Sequence, residues 1–496
     1  MTTTSGAPAT AAPPAQAAVP REVWQISAVV VVGAFMAQLD GALVNIGLAT
    51  IAGNLNSSLQ TAQWIVSGYL LALVVGLPLC GWASRRVGPT RLWLWSVAAF
   101  TVTSVLCAVA GNIQLLIVFR VLQGIAGGLL LPVGQTVIAQ AAGREAMGRV
   151  MSVVGAALVL APALGPIAGG LLIAHASWPW LFLINIPVGL LALWLGFRIL
   201  PRSTPQPVSG FDVTGFALVG LGLPAVTYAI SSYGDNKDFG APSFYGPLVA
   251  GAVVLVGFVL YSRRRSEPLL NLGLFAGRVF TAASVASFFA GAIQYGALVV
   301  WALYFQMVRG YGVVDSGLAM VGFALGAGLL PISGRLVDRF GGGPVALVGA
   351  VLTVVAAVPA ALLPGGASLA EVEVFLFLLG VANALSVIPS STAAYVSVRP
   401  PQVPDAVTLI NIFLRLGGAV GASLCIAVLG GLTGDKAALV SAFHAAFWCV
   451  AGFGAVFTVF ALALVLVGRS TTAGRNGSGP VRGSVAPAPG QPDTRR

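Results

Sequence analysis

Apolar residues run along this chain in stretches of about twenty, parted by short polar breaks, from residue 24 almost to residue 467. A helix of that length crosses the hydrocarbon of a bilayer, and in lipid only such self-satisfied backbone is stable. The pattern predicts fourteen spans: 24–51, 62–83, 92–110, 113–140, 148–173, 179–200, 212–231, 246–262, 280–307, 316–334, 345–363, 372–396, 405–430 and 442–467. Two polar breaks are longer than the rest. PRSTPQPVSGFD, Pro201–Asp212, follows the sixth span, and SRRRSEPLLNLGLFAGR, Ser262–Arg278, follows the eighth. The expected plan is a six-helix bundle over 23–200, a linker with two inserted helices over 201–278, and a second six-helix bundle over 279–469. Residues 1–22 are Ala/Pro/Thr-rich without the basic start of a secretory signal, and 470–496 are Gly/Ser/Pro/Arg-rich, so both are expected to be disordered tails. The fold class is therefore all-α and polytopic.

Composition agrees: 57% hydrophobic residues, 8% charged residues and a mean hydropathy of +0.95 exclude a soluble domain. The net charge of +11 raises the question of nucleic acid, but the basic residues sit in the gaps between spans, where they set topology. Arg21, Arg85, Arg86, Arg91, Arg144, Arg149, Arg198, Arg202, Arg263, Arg264, Arg265, Arg278, Arg335, Arg339, Arg399 and the C-terminal arginines fall on one side, against Lys237, Arg309 and Lys436 on the other. That bias places both termini in the cytoplasm, which an even number of spans requires. Cys80, Cys107, Cys425 and Cys449 lie inside apolar runs without metal or redox spacing, so no metal is expected.

Within the first span, WQISAVVVVGAFMAQLDGALVNIGLATI, Asp40 is the one of fourteen acids placed deep in the hydrocarbon. A carboxylate there costs at least a few kcal/mol, so it either glues two helices together or serves as a proton site; intramembrane ionisable groups favour the second. Gly33, Ala37 and Gly41 form a small-residue stripe beside it that admits close approach. An internal repeat sits elsewhere: GWASRRVGPTR, Gly81–Arg91, between spans two and three, and GRLVDRFGGGP, Gly334–Pro344, between spans ten and eleven. Repeats of this kind mark secondary transporters.

On these features the chain resembles the major facilitator superfamily, and within it the fourteen-span drug:proton antiporter branch. LDGALVN, Leu39–Asn45, is similar to the first-helix motif of that branch, with Asp40 and Asn45 matching and Ala42 in place of the usual threonine. Asp40 and Asn45 stand about 140° apart on a helix, so one ligand does not engage both. LIVFRVLQGIAGG, Leu116–Gly128, matches the fourth-helix motif and sets Arg120, Gln123 and Gly124 on one face. Arg120 and Asp40 fall at similar depth, which makes a direct or water-bridged pair reasonable, either structural or functional. APALGPIAGG, Ala161–Gly170, resembles the antiporter motif of the fifth helix. There Gly165, Gly169 and Gly170 allow close packing, and Pro162 and Pro166 kink the helix, suiting a sliding seam between two halves.

In the loop motif the resemblance is imperfect. Gly81, Arg86, Gly88 and Arg91 in the first copy, and Gly334, Asp338, Arg339 and Gly341 in the second, fit the pattern. Arg85, however, replaces the first copy's aspartate, and Ala83 the leucine, so the cytoplasmic latch anchored by that aspartate in relatives has to find other partners or be weaker. WPWLFLINIPVG, FDVTG, EPLLNLGLF and NIFLRLGGAVG, the last with Asn411 and Arg415 one turn apart, resemble further segments of the branch.

The resemblance implies a major facilitator fold and a proton-coupled exporter working by alternating access, with Asp40 and Arg120 as the coupling pair. Burial disfavours a charged carboxylate and a nearby arginine favours it, so helix movement can load or release a proton. The proton gradient supplies the energy; no cofactor or P-loop is expected, and the chain is expected to act as a monomer with a small substrate and the bilayer as its partners. Gln38, Asn45, Trp64, Tyr69, Gln123, Gln135, Gln294, Tyr295, Trp301 and Tyr304 are candidate cavity residues. Aromatic faces with few charges suit lipophilic compounds, cations included, although such aromatics also serve as packing and interfacial belts. A specific metabolite or lipid as cargo, and import rather than export, stay open as alternatives.

Overall fold

The computed structural model describes residues 19–206, 208, 210–236, 241–265, 267–363, 367–430 and 436–477. The expected tails at 1–18 and 478–496, and Lys237, lie outside the described residues.

The first half comprises α1 (Arg21–Asn54), α2 (Leu59–Gly76), α3 (Leu79–Val87), α4 (Pro89–Ala108), α5 (Ile113–His175), α6 (Trp180–Leu183) and α7 (Asn185–Ile199). Local chemistry sets the ends. Ser58 and Asn112 cap α2 and α5 by accepting from the amides of Thr61 and Leu115. Pro78 splits the expected second span into α2 and α3, because a proline inside a helix removes a backbone hydrogen bond. Gly143, at φ 65°, interrupts α5 where spans four and five were expected to part. Beyond it the backbone is helical to His175.

The two helices over the expected insertion follow, α8 (Val213–Asn236) and α9 (Pro242–Arg263), packed on one another with α8 also against α2 and α17 (Val403–Gly430). Asp212 fastens this insertion. Its carboxylate accepts from the amides of Gly215 and Leu269 at 2.9 and 3.1 Å and from the Tyr261 hydroxyl at 2.8 Å, joining the start of α8, the end of α9 and the second polar break. The second half holds α10 (Arg278–Leu303), α11 (Val313–Leu318), α12 (Val321–Ala327), α13 (Leu330–Phe340), α14 (Gly342–Ala360), α15 (Leu369–Ala384), α16 (Val387–Ser397), α17 and α18 (Lys436–Gly477). The last helix runs on into the stretch expected to be a disordered tail.

Among the described residues thirteen helices are long and apolar enough to cross a membrane, one fewer than the fourteen spans expected. The difference falls on the fifth span, which contributes only the shorter apolar segment Ala146–Gly155. Side chains over most of 156–170 lie outside the described residues.

The repeat read in the sequence is structural. α3 turns into α4 at Gly88 with φ 88°, and α13 turns into α14 at Gly341 with φ 83°. Both positions need glycine, since other residues rarely adopt that left-handed geometry, and at Gly88 a side chain would also meet Ser203.

Three apolar cores decide the shape. One joins both halves at the arginine-rich end, from Val23 and Val150 to Tyr395 and Val407. At the opposite end the halves keep separate cores, around Leu43, Ile65 and Leu181 in the first and around Trp301, Phe305 and Phe443 in the second. The two halves therefore meet at the arginine-rich end.

Candidate functional site

A fully buried polar centre lies in the first half, where α1, α4, α5 and α7 converge. Small residues make the convergence possible: a side chain at Gly33 would meet the Trp93 ring at 2.7 Å, and one at Gly124 would meet the Tyr69 backbone carbonyl at 2.5 Å. Arg120 Nη1 donates to Asp40 Oδ2 at 2.5 Å, both side chains being inaccessible to solvent. The same nitrogen lies 2.6 Å from Gln123 Oε1, and Arg120 Nε donates to the Ile65 carbonyl at 3.1 Å. The other carboxylate oxygen of Asp40 accepts from Asn185 Nδ2 at 2.6 Å and from Gln123 Nε2 at 3.4 Å. Ser104 Oγ closes the network, 2.6 Å from Gln123 Nε2 and 3.2 Å from Asn185 Nδ2. The guanidinium lies 4.0 Å over the Tyr69 ring and 5.7 Å from the Phe182 ring.

This constellation suits holding a charge in a dry place. A buried pair survives desolvation only when its remaining donors and acceptors are met, and here Gln123, Asn185 and the Ile65 carbonyl meet most of them, with Ser104 behind the two amides. Arg120 Nη2 is the exception, with no hydrogen-bond partner among the described residues. Charge-assisted bonds of this kind are short and about twice as strong as neutral ones.

The structure sorts the residues singled out from sequence. Asp40, Arg120, Gln123 and Tyr69 come together. Asn185 and Ser104 join them; both were polar residues inside apolar runs, and that was the signal available. Asn45 stays apart, exposed and bonded to the Gly41 carbonyl of its own helix at 3.2 Å. Gln38 and Gln294 are half-buried. Trp64 is 45% exposed and stacks on Tyr228 of the insertion. Trp301 and Tyr304 pack against Phe447 and Phe443 in the core of the second half. Of the aromatic candidates, Tyr69 lies at the buried pair, while Trp301 and Tyr304 pack in the second half. Tyr295, 41% exposed, lies where a side chain at Gly418 would meet its ring at 2.5 Å. Gln135 accepts from Asn411 Nδ2 at 2.8 Å, across the two halves.

The fifth-span motif also sits differently from expectation. A side chain at Gly165 would overlap Ala42 of α1, so the close contact is inside the first half and not on the seam between halves. Gly169 is buried, while Gly170 and the side chains of Pro162 and Pro166 lie outside the described residues.

At the arginine-rich end each loop motif reaches the other half. Asp338 accepts from Arg149 Nε at 2.6 Å and from the Gly148 amide at 3.0 Å. Arg85, in the equivalent place of the first repeat, pairs with Asp405 at the start of α17. Gly81 brings α3 against Asp405, as Gly334 brings α13 against Gly148 and Arg149. The two latches are the same device with the charges exchanged, which answers the departure at Arg85. Arg86, Arg91 and Arg339 are exposed, and Arg339 lies 5.1 Å from the Phe340 ring centre.

Comparison with known proteins places these features in a family. The profile described as Major Facilitator Superfamily matches residues 30–422. The "Multidrug resistance protein B homolog" of Mycobacterium tuberculosis is 36% identical over 407 residues, covering 81% of this chain and 75% of that protein. The "Putative multidrug resistance protein MdtD" of Serratia proteamaculans is 29% identical over 459 residues, covering 91% and 95%. Among solved structures, the human organic anion transporter MFSD10 (TETRAN) superposes with a TM-score of 0.61 at 16% identity, covering 90% of this chain and all of that one. The proton:xylose symporter XylE also superposes at 0.61 and 16%, covering 88% and 95%. At that identity the structural likeness speaks to fold alone.

Proposed function

The chain belongs to the Major Facilitator Superfamily, and from that premise we propose that it is a proton-coupled exporter of small lipophilic compounds, with Asp40 as the proton site and Arg120 as its counter-charge. The observation that carries this reading is the sealed Asp40–Arg120 pair, inaccessible to solvent and bonded at 2.5 Å. The names of the multidrug resistance relatives support export, as does the resemblance of the fifth-span motif to that of antiporters.

The chemistry follows from the pair. A proton on Asp40 leaves Arg120 a buried cation without its counter-charge, and breaking a buried pair costs about 3–5 kcal/mol. By the factor of ten per 1.4 kcal/mol, that is about two to four powers of ten in the balance between two states. Asn185, Gln123 and Ser104 hold the carboxylate so that the change is felt by α1, α4, α5 and α7 together. Alternating access then switches between the latched state, closed at the arginine-rich end, and one open there.

We place the arginine-rich end in the cytoplasm, with both termini there and the helix after Gly143 as the fifth of fourteen spans. The described state is then outward-facing. The protein functions as a monomer in the cytoplasmic membrane, with protons, the bilayer and a small lipophilic substrate as its partners.

Everted membrane vesicles with an acid interior test the direction. Addition of a transported lipophilic dye is expected to dissipate the pH gradient while the dye accumulates inside. Dye accumulation that is indifferent to the gradient, or movement along with protons, overturns the reading.

A further inference from the structure

The mechanism above leaves one intramembrane charge unused. Arg415 lies on α17, whose described start is Val403. At 1.5 Å per residue it sits about 18 Å along the helix, near the middle of a bilayer core about 30 Å thick. It is half-buried, and among the described residues it has neither a hydrogen-bond nor an ion-pair partner. Four acids of the bundle are engaged elsewhere: Asp40 with Arg120, Asp405 with Arg85, Asp338 with Arg149, and Glu373 with the Gly322 amide.

The direction it faces follows from its helix. Asn411, one turn earlier on the same face, crosses to Gln135 of the first half at 2.8 Å. Gly417 and Gly421, on the far side of α17, press against the backbone of Phe288 and Ala292 of α10. Arg415 therefore looks onto the seam between the halves. With Asp40 balanced by Arg120, Arg415 is left as one positive charge on the seam without an ion-pair partner among the described residues.

An uncompensated cation at membrane depth costs at least a few kcal/mol, and such residues mark substrate paths. We propose that Arg415 is the anchor for an anionic group of the substrate, and that the cargo is an amphipathic organic anion: a carboxylate or sulfonate on an apolar body. The planar fork of arginine fits such a group with two parallel hydrogen bonds, and the same charge repels an amphipathic cation. This deepens the export reading and depends on it only for the direction of movement.

The test uses the full-length protein in nanodiscs of zwitterionic lipid, titrated calorimetrically with three probes of one shape: 2-naphthoate, 2-naphthalenemethanol and 2-naphthylmethylammonium. Naphthoate is expected to bind at least about tenfold tighter than the other two. Arg415→Gln is expected to remove that advantage without changing affinity for the alcohol, and Arg415→Lys to keep part of it. Equal binding of the three probes, no binding of naphthoate, or an unaltered preference in Arg415→Gln overturns the proposal. Should the glutamine variant fail to fold, the wild-type ranking and the lysine variant decide. Charge-selective binding through Arg415 without gradient-driven transport supports the anion site and overturns the export reading; gradient-driven dye export without charge-selective binding does the reverse.

Discussion

Reversing the charges of one latch should be survivable only when both partners are reversed together. Arg85→Asp sets two carboxylates face to face at the start of α17, where the Asp405 side chain is 5% exposed and Arg85 is 17% exposed. A surface pair would be worth about 0–1 kcal/mol and a fully buried one about 3–5 when broken. With one partner nearly buried and the other partly wet, about 2 kcal/mol is reasonable for either single change. At 1.4 kcal/mol per factor of ten, that shifts the closed-to-open ratio at this end by about thirtyfold. Adding Asp405→Arg recreates the order of charges already present in Arg149–Asp338 and should recover most of the loss. Spin labels at exposed Arg91 and Arg399, one in each half, report the separation by pulsed electron resonance. Each single variant should populate a longer distance, and the double variant should return to the wild-type distribution. A double variant no better than the sum of the singles would refute the exchanged-charge latch.

Three other outcomes follow. Gly165→Ala should lower thermal stability by about 1–3 kcal/mol through overlap with Ala42, and Ala42→Gly should relieve it; an unrelieved loss would mean that the contact is not the cause. Gly341→Ala should destabilise by about 1–3 kcal/mol through its φ of 83° alone, read as a lower melting midpoint in detergent. Arg120→Lys should keep the fold and only part of the transport, because one ammonium nitrogen cannot stand at both the Nη1 and Nε positions that reach Asp40, Gln123 and the Ile65 carbonyl; full efflux in that variant would reduce the fork to a dispensable feature.

Much of the molecule could be read from the sequence because lipid imposes a strict rule. Span after span follows from apolar run length, and the interruptions at Pro78, Gly88, Gly143 and Gly341 are where backbone chemistry demands them. The Asp40–Arg120 pair was legible because each is an isolated charge at the same depth of an apolar helix. Asn185 and Ser104 were harder to find, since neutral polar residues in spans are common and only the folded geometry shows which ones reach the carboxylate. Two of the aromatic candidates were ambiguous for a related reason. Trp301 and Tyr304 carry the same apolar bulk whether they line a cavity or fill a core, and the neighbouring Phe443 and Phe447 decide for the core. Arg85 looked like a lost latch because its partner lies far along the chain at Asp405, a separation that local pattern does not span.

The central claim is that Asp40 carries the coupling proton. Proteoliposomes containing Asp40→Asn test it most directly when two rates are compared: accumulation of a transported dye driven by a pH gradient, and downhill exchange of the same dye with none. The amide keeps the shape of the side chain and its place beside Arg120 but holds no titratable proton. Exchange should persist while gradient-driven accumulation disappears. Accumulation at the wild-type rate would contradict the account and move the proton to another group.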